Sequence, residues 1–548
     1  MNQTTSRSAN NWHAPFDWQN PYPTARTPVF ARNVVATSQP LAAQAGLHVM
    51  RQGGNAIDAV IAAAAAITLT EPISNGLGSD AFAIVWDGHK LHGLNASGVA
   101  PATWDPAYFA SRHGGQMPLR GADTVTTPGA VAGWTALHDK FGSRPFGDCL
   151  NPAIELAERG FAVAPVTQRK WVAQIDGLKD QPGFADVFMP HGRAPEVGER
   201  FAMPGAAATL RRLAQHGGRE YYEGETADRL SAYIQQCGGT MTRDDLAGYQ
   251  PDWVNTISRR YRGHELHEIP PNGQGIAALM AIGMLEHFDL DNLEADSARA
   301  RHIQIEVMKA AFADVYRYVA DSRYMTKVTP QDLLDDGYLA SRARLIDQHK
   351  AIDFKAGRPP AGGTIYLTAA DENGMMVSYI QSNYMGFGSG VVSKELGISL
   401  QNRGHGFSLD PSHPNLVAPG KRPFQTIIPG FLTRDGQPQM SFGVMGGNMQ
   451  PQGHMQTLVR MLQFGQNPQA ACDAPRWKVN HGLSVDLEPT MESDIQQELA
   501  QMGHRIEATN DSYMDYGSGQ FIWRLSDDKE DGYVAASDSR RDGHAAGF

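Results

Sequence analysis

The chain changes texture at one point, residue 364. Helical spacing of apolar residues dominates 150–350, as over Pro152–Arg159, Ala206–His216, Thr226–Cys237, Gly275–His287 and Ala298–Val319. Asp353–Gly363 carries Pro and Gly without periodicity, the mark of a linker. Strand-like runs follow over Thr364–Ala369, Met375–Gln381, Thr426–Thr433 and Met440–Val444. Thr364 is thus the first residue of a strand, in Gly362-Gly363-Thr364-Ile-Tyr. A cut between Gly363 and Thr364 would give pieces 1–363 and 364–548 and free the threonine's α-amino group. That amine can act as general base for the threonine's own hydroxyl, which makes a nucleophile out of an ordinary side chain.

The N-terminal part alternates strands and helices. Asn33–Thr37 reads as a strand and Leu41–Arg51 as a helix ended by Gly53-Gly54. Asn55 is placed to cap a helix over Ala56–Thr70, which must stop before Pro72. Ala81–Trp86 and Lys90–Leu94, joined by Asp87-Gly88, read as a hairpin. The apolar run Ala59–Ile67 is too short to span a bilayer and reads as a buried helix. A last helix over Pro451–Gln463 carries Met455, Leu458, Val459 and Leu462 on one stripe.

With 548 residues, the chain exceeds one ordinary core and suits two domains or one large layered domain. Net charge is −11 and Lys and Arg form no run, which argues against nucleic acid or an anionic membrane as partner. Met1–Phe30 lacks a charged segment followed by an apolar one, and Cys149, Cys237 and Cys472 suggest neither a disulfide framework nor a metal site. The expected compartment is the cytoplasm. No motif calls for a metal or cofactor. His264-Glu-Leu-His267 lacks the zinc-protease spacing, and Gly76-Leu-Gly78-Ser79-Asp80 is a fragment of a dinucleotide loop followed by a strand.

Two stretches can serve Thr364. Asp371-Glu-Asn-Gly374 is a turn signal. A two-residue loop at Asn373-Gly374 would put Asn383 opposite Thr364, and a four-residue loop would put Gln381 there. Either way Gln381-Ser382-Asn383 returns beside the threonine, where these groups could hold its amine or hydroxyl; spacing alone favours ordinary strand-end polar residues. Gly446-Gly447, between a strand and a helix, could present N–H groups to an oxyanion or form a plain turn.

The sequence resembles the γ-glutamyltransferase family of N-terminal-nucleophile hydrolases. The resemblance runs along nearly the whole chain. It rests on Gly53-Gly-Asn-Ala-Ile-Asp-Ala59, Glu71-Pro72, Tyr222-Glu-Gly224, Asp245-Leu-Ala-Gly-Tyr249, Gly362-Gly-Thr364, Asn383, Gly388-Ser-Gly390, Lys421-Arg-Pro423, Gly446-Gly447 and Ala474-Pro-Arg476. It implies an α+β fold, a four-layer αββα sandwich. It further implies a precursor that cleaves itself before Thr364 into a large and a small subunit that stay associated. Thr364 would attack the Gly363 carbonyl and later a substrate amide. Gly446 and Gly447 would bind the oxyanion, and Asn383 with Ser382 or Gln381 would complete the catalytic set.

The departures bear on substrate. Ser97 stands where the family has its glutamate-binding arginine, and Arg403-Gly-His405-Gly406 where it has an acidic residue. Gln425-Thr426 replaces a pair of serines. An arginine in place of acid favours a carboxylate over an ammonium. The pattern is similar to the branch of cephalosporin (glutaryl) acylases and oxamate amidohydrolase. The expectation is a threonine amidohydrolase for a small amide with an anionic acyl end, bound by Arg403, His405, Ser97, Gln425 and Thr426. Its partners would be that small molecule and its own two subunits, with a higher oligomer left open. Alternatives are γ-glutamyl transfer or glutathione hydrolysis in a rearranged pocket, and an uncleaved binding protein.

Overall fold

The computed structural model describes residues 16–24, 26–354, 363–508 and 516–548. Most of the linker expected over Asp353–Gly363 lies outside the described residues. Two seven-stranded antiparallel sheets form the centre. The first runs His544–Gly547, Val34–Thr37, Gly363–Ala370, Met376–Tyr384, Asp80–Trp86, Leu91–Ala96, Asp252–Val254. The second runs Val29–Ala31, Tyr533–Ser537, Gly519–Arg524, Gln437–Val444, Gly430–Arg434, His264–Glu268, Ile257–Tyr261. Each sheet contains strands from both sides of residue 364. The two pieces of a cut chain would therefore share every core, and the strand that opens the second piece lies in the interior of the first sheet.

Of the four apolar clusters among the described residues, three fill the layers around the sheets. One lies between the sheets and contains Val34, Phe82, Ile84, Tyr366 and Ile380 from the first with Phe431, Ile522 and Ala535 from the second. Polar pairs also cross this gap, including Thr368 Oγ1 to Ser441 Oγ at 2.6 Å. The outer face of the first sheet, with Ile365, Leu367 and Tyr379, packs on helices Pro40–Arg51, Ala56–Thr70 and Ala130–Phe141. The outer face of the second packs on Gly275–Leu285, Ala298–Tyr318 and Met449–Leu458. Strand residues alternate between faces, so each strand serves two cores at once.

Helix Ala56–Thr70 is buried along its whole length; Asn55 caps its start, as the sequence predicts, and Asp58 returns the contact to the Asn55 backbone. Among the described residues no helix is long and apolar enough to cross a membrane. The strand expected over Thr426–Thr433 begins only at Gly430. Its first residues spend their backbone groups elsewhere: Gln274 Nε2 donates to the Thr426 carbonyl, and Ile428 N–H donates to Gln450 Oε1 at 2.9 Å. The helix expected over Pro451–Gln463 starts at Met449 and gives way to a wider turn over Val459–Gln463.

Candidate active site

Neither loop length considered for the Asp371–Gly374 turn is the one adopted. Ala370 pairs with Met376, and the register shifts between Gly363 and Ile365. Five residues form the loop, held by Asp371, whose carboxylate accepts from the Asn373 and Met375 amides. A one-residue change of register exchanges the two faces of the returning strand. Ser382, not Gln381 or Asn383, therefore meets Thr364.

Thr364 is buried, with 1% exposure. Its Oγ1 lies 3.4 Å from Ser382 Oγ. Ser382 donates to the Gly363 carbonyl oxygen at 2.7 Å, on the residue whose bond to Thr364 would be cut, and accepts the Tyr384 N–H at 2.8 Å. Gln450 Nε2 donates to Thr364 Oγ1 at 3.2 Å. Gln381 points to the helical layer, where its amide joins Asn75 at 2.7 Å, Tyr379 and Trp134. Asn383 faces the same way and is held by Ser79, which donates to its Oδ1, and by Ser399. Both are removed from Thr364 by the strand's alternation.

Gly446 and Gly447 have φ of 116° and 61°, which favour glycine, and a Cβ on Gly446 would meet Gly517 Cα at 2.9 Å. The pair forms the turn into helix Met449–Leu458, where N–H groups gather and anions are favoured. The Gln450 backbone N–H donates to the Gly447 carbonyl, which ties this turn to the residue that touches Thr364.

A buried polar pocket lies beyond Tyr384. Arg403 has no exposed surface, and its guanidinium carbon sits 4.5 Å from the centre of the Tyr384 ring. Its Nη1 donates to Thr426 Oγ1 at 2.8 Å, while Nε and Nη2 have no hydrogen-bond partner among the described residues. Burial lowers the Arg403 pKa to about 10, with Asp80 opposing the shift. Gln425 Nε2 donates to Asp80 at 2.6 Å and to Ser97 Oγ at 3.1 Å, and Asn272 also donates to Ser97 Oγ. Burial raises Asp80 to about 7, and Arg403 is the largest influence against it. Thus Arg403, Thr426, Gln425 and Ser97 come together. His405 stands at the edge, half-buried, its Nδ1 on the Pro118 carbonyl at 3.1 Å. The chain from nucleophile to cation is short: Thr364, Ser382, Tyr384, Arg403.

Residues 42–548 match the family model described as Gamma-glutamyltranspeptidase. The chain belongs to this family. It is similar to a solved cephalosporin acylase from Bacillus halodurans, with 48% identity and a TM-score of 0.91 over 97% of this chain and 98% of that one. It is 34% identical to the oxamate amidohydrolase proenzyme of Klebsiella pneumoniae over 93% of this chain and 97% of that protein. It is 33% identical to the glutathione hydrolase-like YwrD proenzyme of Bacillus subtilis over 94% of this chain and 98% of that protein. With relatives of these kinds along nearly its whole length, the chain is an amide hydrolase of the gamma-glutamyltranspeptidase family.

Two residues at the site of this family member escaped sequence reasoning. Asp80 lies in the glycine-containing stretch set aside as a broken dinucleotide loop. Gln450 sits one residue before the expected helix. The signal for Gln450 was the run of polar residues Gln450, Gln452, His454 and Gln456 on a helix that carries an apolar stripe. All four are buried, so each must find a partner inside. One histidine–carboxylate group among the described residues is close enough for a metal: His302, Glu306 and His504. There the Lys309 ammonium lies 2.5 Å from Glu306 and already supplies the compensating charge.

Proposed function

We propose that the chain is a precursor that cuts itself between Gly363 and Thr364 into a large subunit, 1–363, and a small subunit, 364–548. The three cores, one between the sheets and one on each outer face, support the αββα sandwich. Thr364 attacks amides whose acyl part ends in a small carboxylate, of oxamate or glutaryl kind. Its freed amine takes the hydroxyl proton. Gly446 and Gly447 receive the oxyanion, and the acyl-threonine passes to water or to an acceptor amine. The observation that carries the substrate class is Arg403, a fully buried cation with two unpartnered N–H groups on a path of three contacts from Thr364. A carboxylate would satisfy both N–H groups in one fork. Interleaved strands support two subunits that remain together, and a cytoplasmic setting is part of the same proposal.

A second reading, γ-glutamyl transfer or glutathione hydrolysis, draws on Asp80, a buried acid near Arg403 that could face a substrate ammonium. The panel that separates them is a glutaryl anilide, an oxamyl amide and a γ-glutamyl anilide, assayed by released amine, with denaturing electrophoresis of the same preparation. Two bands and turnover of the first two amides are expected. Turnover of the γ-glutamyl anilide alone would move the assignment to the second reading. A single full-length, inactive band would leave a binding protein.

A further inference from the structure

We propose that Gln450 is a catalytic residue that stabilises negative charge on Thr364 Oγ whenever that oxygen is expelled, in self-cleavage and in turnover. The proposal rests on Thr364 being the nucleophile. Gln450 has no exposed surface and stands on the first turn of helix Met449–Leu458. Its Oε1 accepts the Ile428 N–H at 2.9 Å. A backbone N–H can only donate, so this contact fixes the orientation of the amide, and Nε2 must be the donor to Thr364 Oγ1 at 3.2 Å.

The rest of the chain of hydrogen bonds then has one direction. The Gly363 carbonyl can only accept, so Ser382 gives its proton there. Tyr384 N–H occupies part of the Ser382 oxygen, and the Thr364 hydroxyl points its hydrogen at what remains. The nucleophile's oxygen thus receives one fixed donor, Gln450, and the carbonyl it would attack receives another, Ser382.

In self-cleavage, the Oγ–carbon bond to Gly363 forms, the carbon–nitrogen bond breaks, and the hydroxyl proton passes to the Thr364 nitrogen. Water then adds to the ester carbon, the carbon–Oγ bond breaks, and Oγ regains a proton from that water. Hydrolysis of an acyl-threonine repeats this second step. In both, Oγ departs as an incipient alkoxide, and an N–H already aimed at it lowers the barrier without reorganisation. Acylation draws less on this donor than deacylation does, because Oγ enters as a hydroxyl and must leave as an anion.

The test compares Gln450→Met, Gln450→Glu and Thr364→Ala with the unaltered protein, using a glutaryl anilide and mass spectrometry of the acid-quenched small subunit. Gln450→Met is expected to lower kcat by about 100-fold, the order seen for single donors to a developing oxyanion. KM should fall with it, with a burst of anilide release and an acyl adduct on the 364–548 fragment. Gln450→Glu keeps the shape and the acceptor for Ile428 but loses the donor when ionised. Its kcat relative to the unaltered protein should rise as pH falls and the carboxyl regains a proton. An unaltered kcat in Gln450→Met overturns the proposal. So does an equal fall in kcat and kcat/KM with no adduct, or a pH-independent loss in Gln450→Glu. If Gln450→Met does not fold, the isosteric glutamate variant decides alone. Turnover by Thr364→Ala would instead remove the nucleophile reading, whatever Gln450 does.

Discussion

Replacing Arg403 by methionine should separate binding from stability, and the two effects have different sizes. The guanidinium makes one side-chain hydrogen bond, to Thr426, stacks on Tyr384, and leaves Nε and Nη2 without a partner among the described residues. Each orphaned donor costs about 1–3 kcal/mol. The hydrogen bond and the stacking return about 1 kcal/mol and about 1–2 kcal/mol. These terms nearly cancel, and a flexible apolar chain of similar length fills the same space, so Arg403→Met should leave the melting temperature within a few degrees or raise it. Binding is another matter. The two free N–H groups could each give a carboxylate a charge-assisted bond of about 1.5–3 kcal/mol. Their loss predicts an increase in KM of about two to four orders of magnitude, at about 1.4 kcal/mol per tenfold. The assay compares kcat/KM for a glutaryl anilide with that for a pentanoyl anilide, which has the same chain without the carboxylate. The glutaryl substrate should lose most of its advantage while the neutral one changes little. An equal loss on both substrates, or a marked fall in melting temperature with KM unchanged, would refute Arg403 as a carboxylate clamp.

Three further outcomes follow from the same geometry. Ser382→Ala removes the donor on the Gly363 carbonyl and should slow self-cleavage by about 100-fold, visible as full-length chain on denaturing gels; Ser382→Thr should restore it. Gln381→Met should leave cleavage and kcat intact. It should destabilise the fold by about 2–3 kcal/mol in urea, because it strands the buried Asn75 Oδ1 and the Tyr379 hydroxyl, which donates to Gln381; lost cleavage at unchanged stability would return Gln381 to the catalytic set. Asp80 titrates near 7 in the fold against an ordinary value near 4, so the folded chain holds its proton more tightly. Its contribution to stability is whole below about pH 4 and is lost as pH rises to about 7, at about 1.4 kcal/mol per pH unit. Asp80→Asn should flatten that slope in urea midpoints measured from pH 4 to 8, and an unchanged slope would contradict the assignment.

What the sequence made legible is what local physics controls. Asn55 caps a helix by itself, and the Pro/Gly stretch before Thr364 ends one kind of periodicity and begins another. The partner of Thr364 depended on something finer. Asp371 accepts two amides of its own turn and holds a five-residue loop, one residue longer than the four-residue turn. That single residue decides whether Gln381 and Asn383 or Ser382 and Tyr384 face the gap between the sheets. Composition at 381–384 is polar throughout, so no pattern of apolar residues could set the register. Asp80 and Gln450 were hidden for the opposite reason. Each sits on an element whose type the sequence predicts, but it is directed toward a partner hundreds of residues or one sheet away. Asp80 meets Gln425 and Gln450 meets Thr364 only because the two sheets stack. The buried glutamines of helix Met449–Leu458 make the point most sharply. Gln452 spends its amide on the Asn448 and Val479 backbone and Gln456 on Gln452 and Trp477, so both brace the helix. Gln450 braces Ile428 with its oxygen and has its nitrogen left over for the nucleophile. The same residue type on one helix thus divides into struts and a reactive contact. The difference lies in whether the second partner is a backbone carbonyl or the oxygen that does the chemistry.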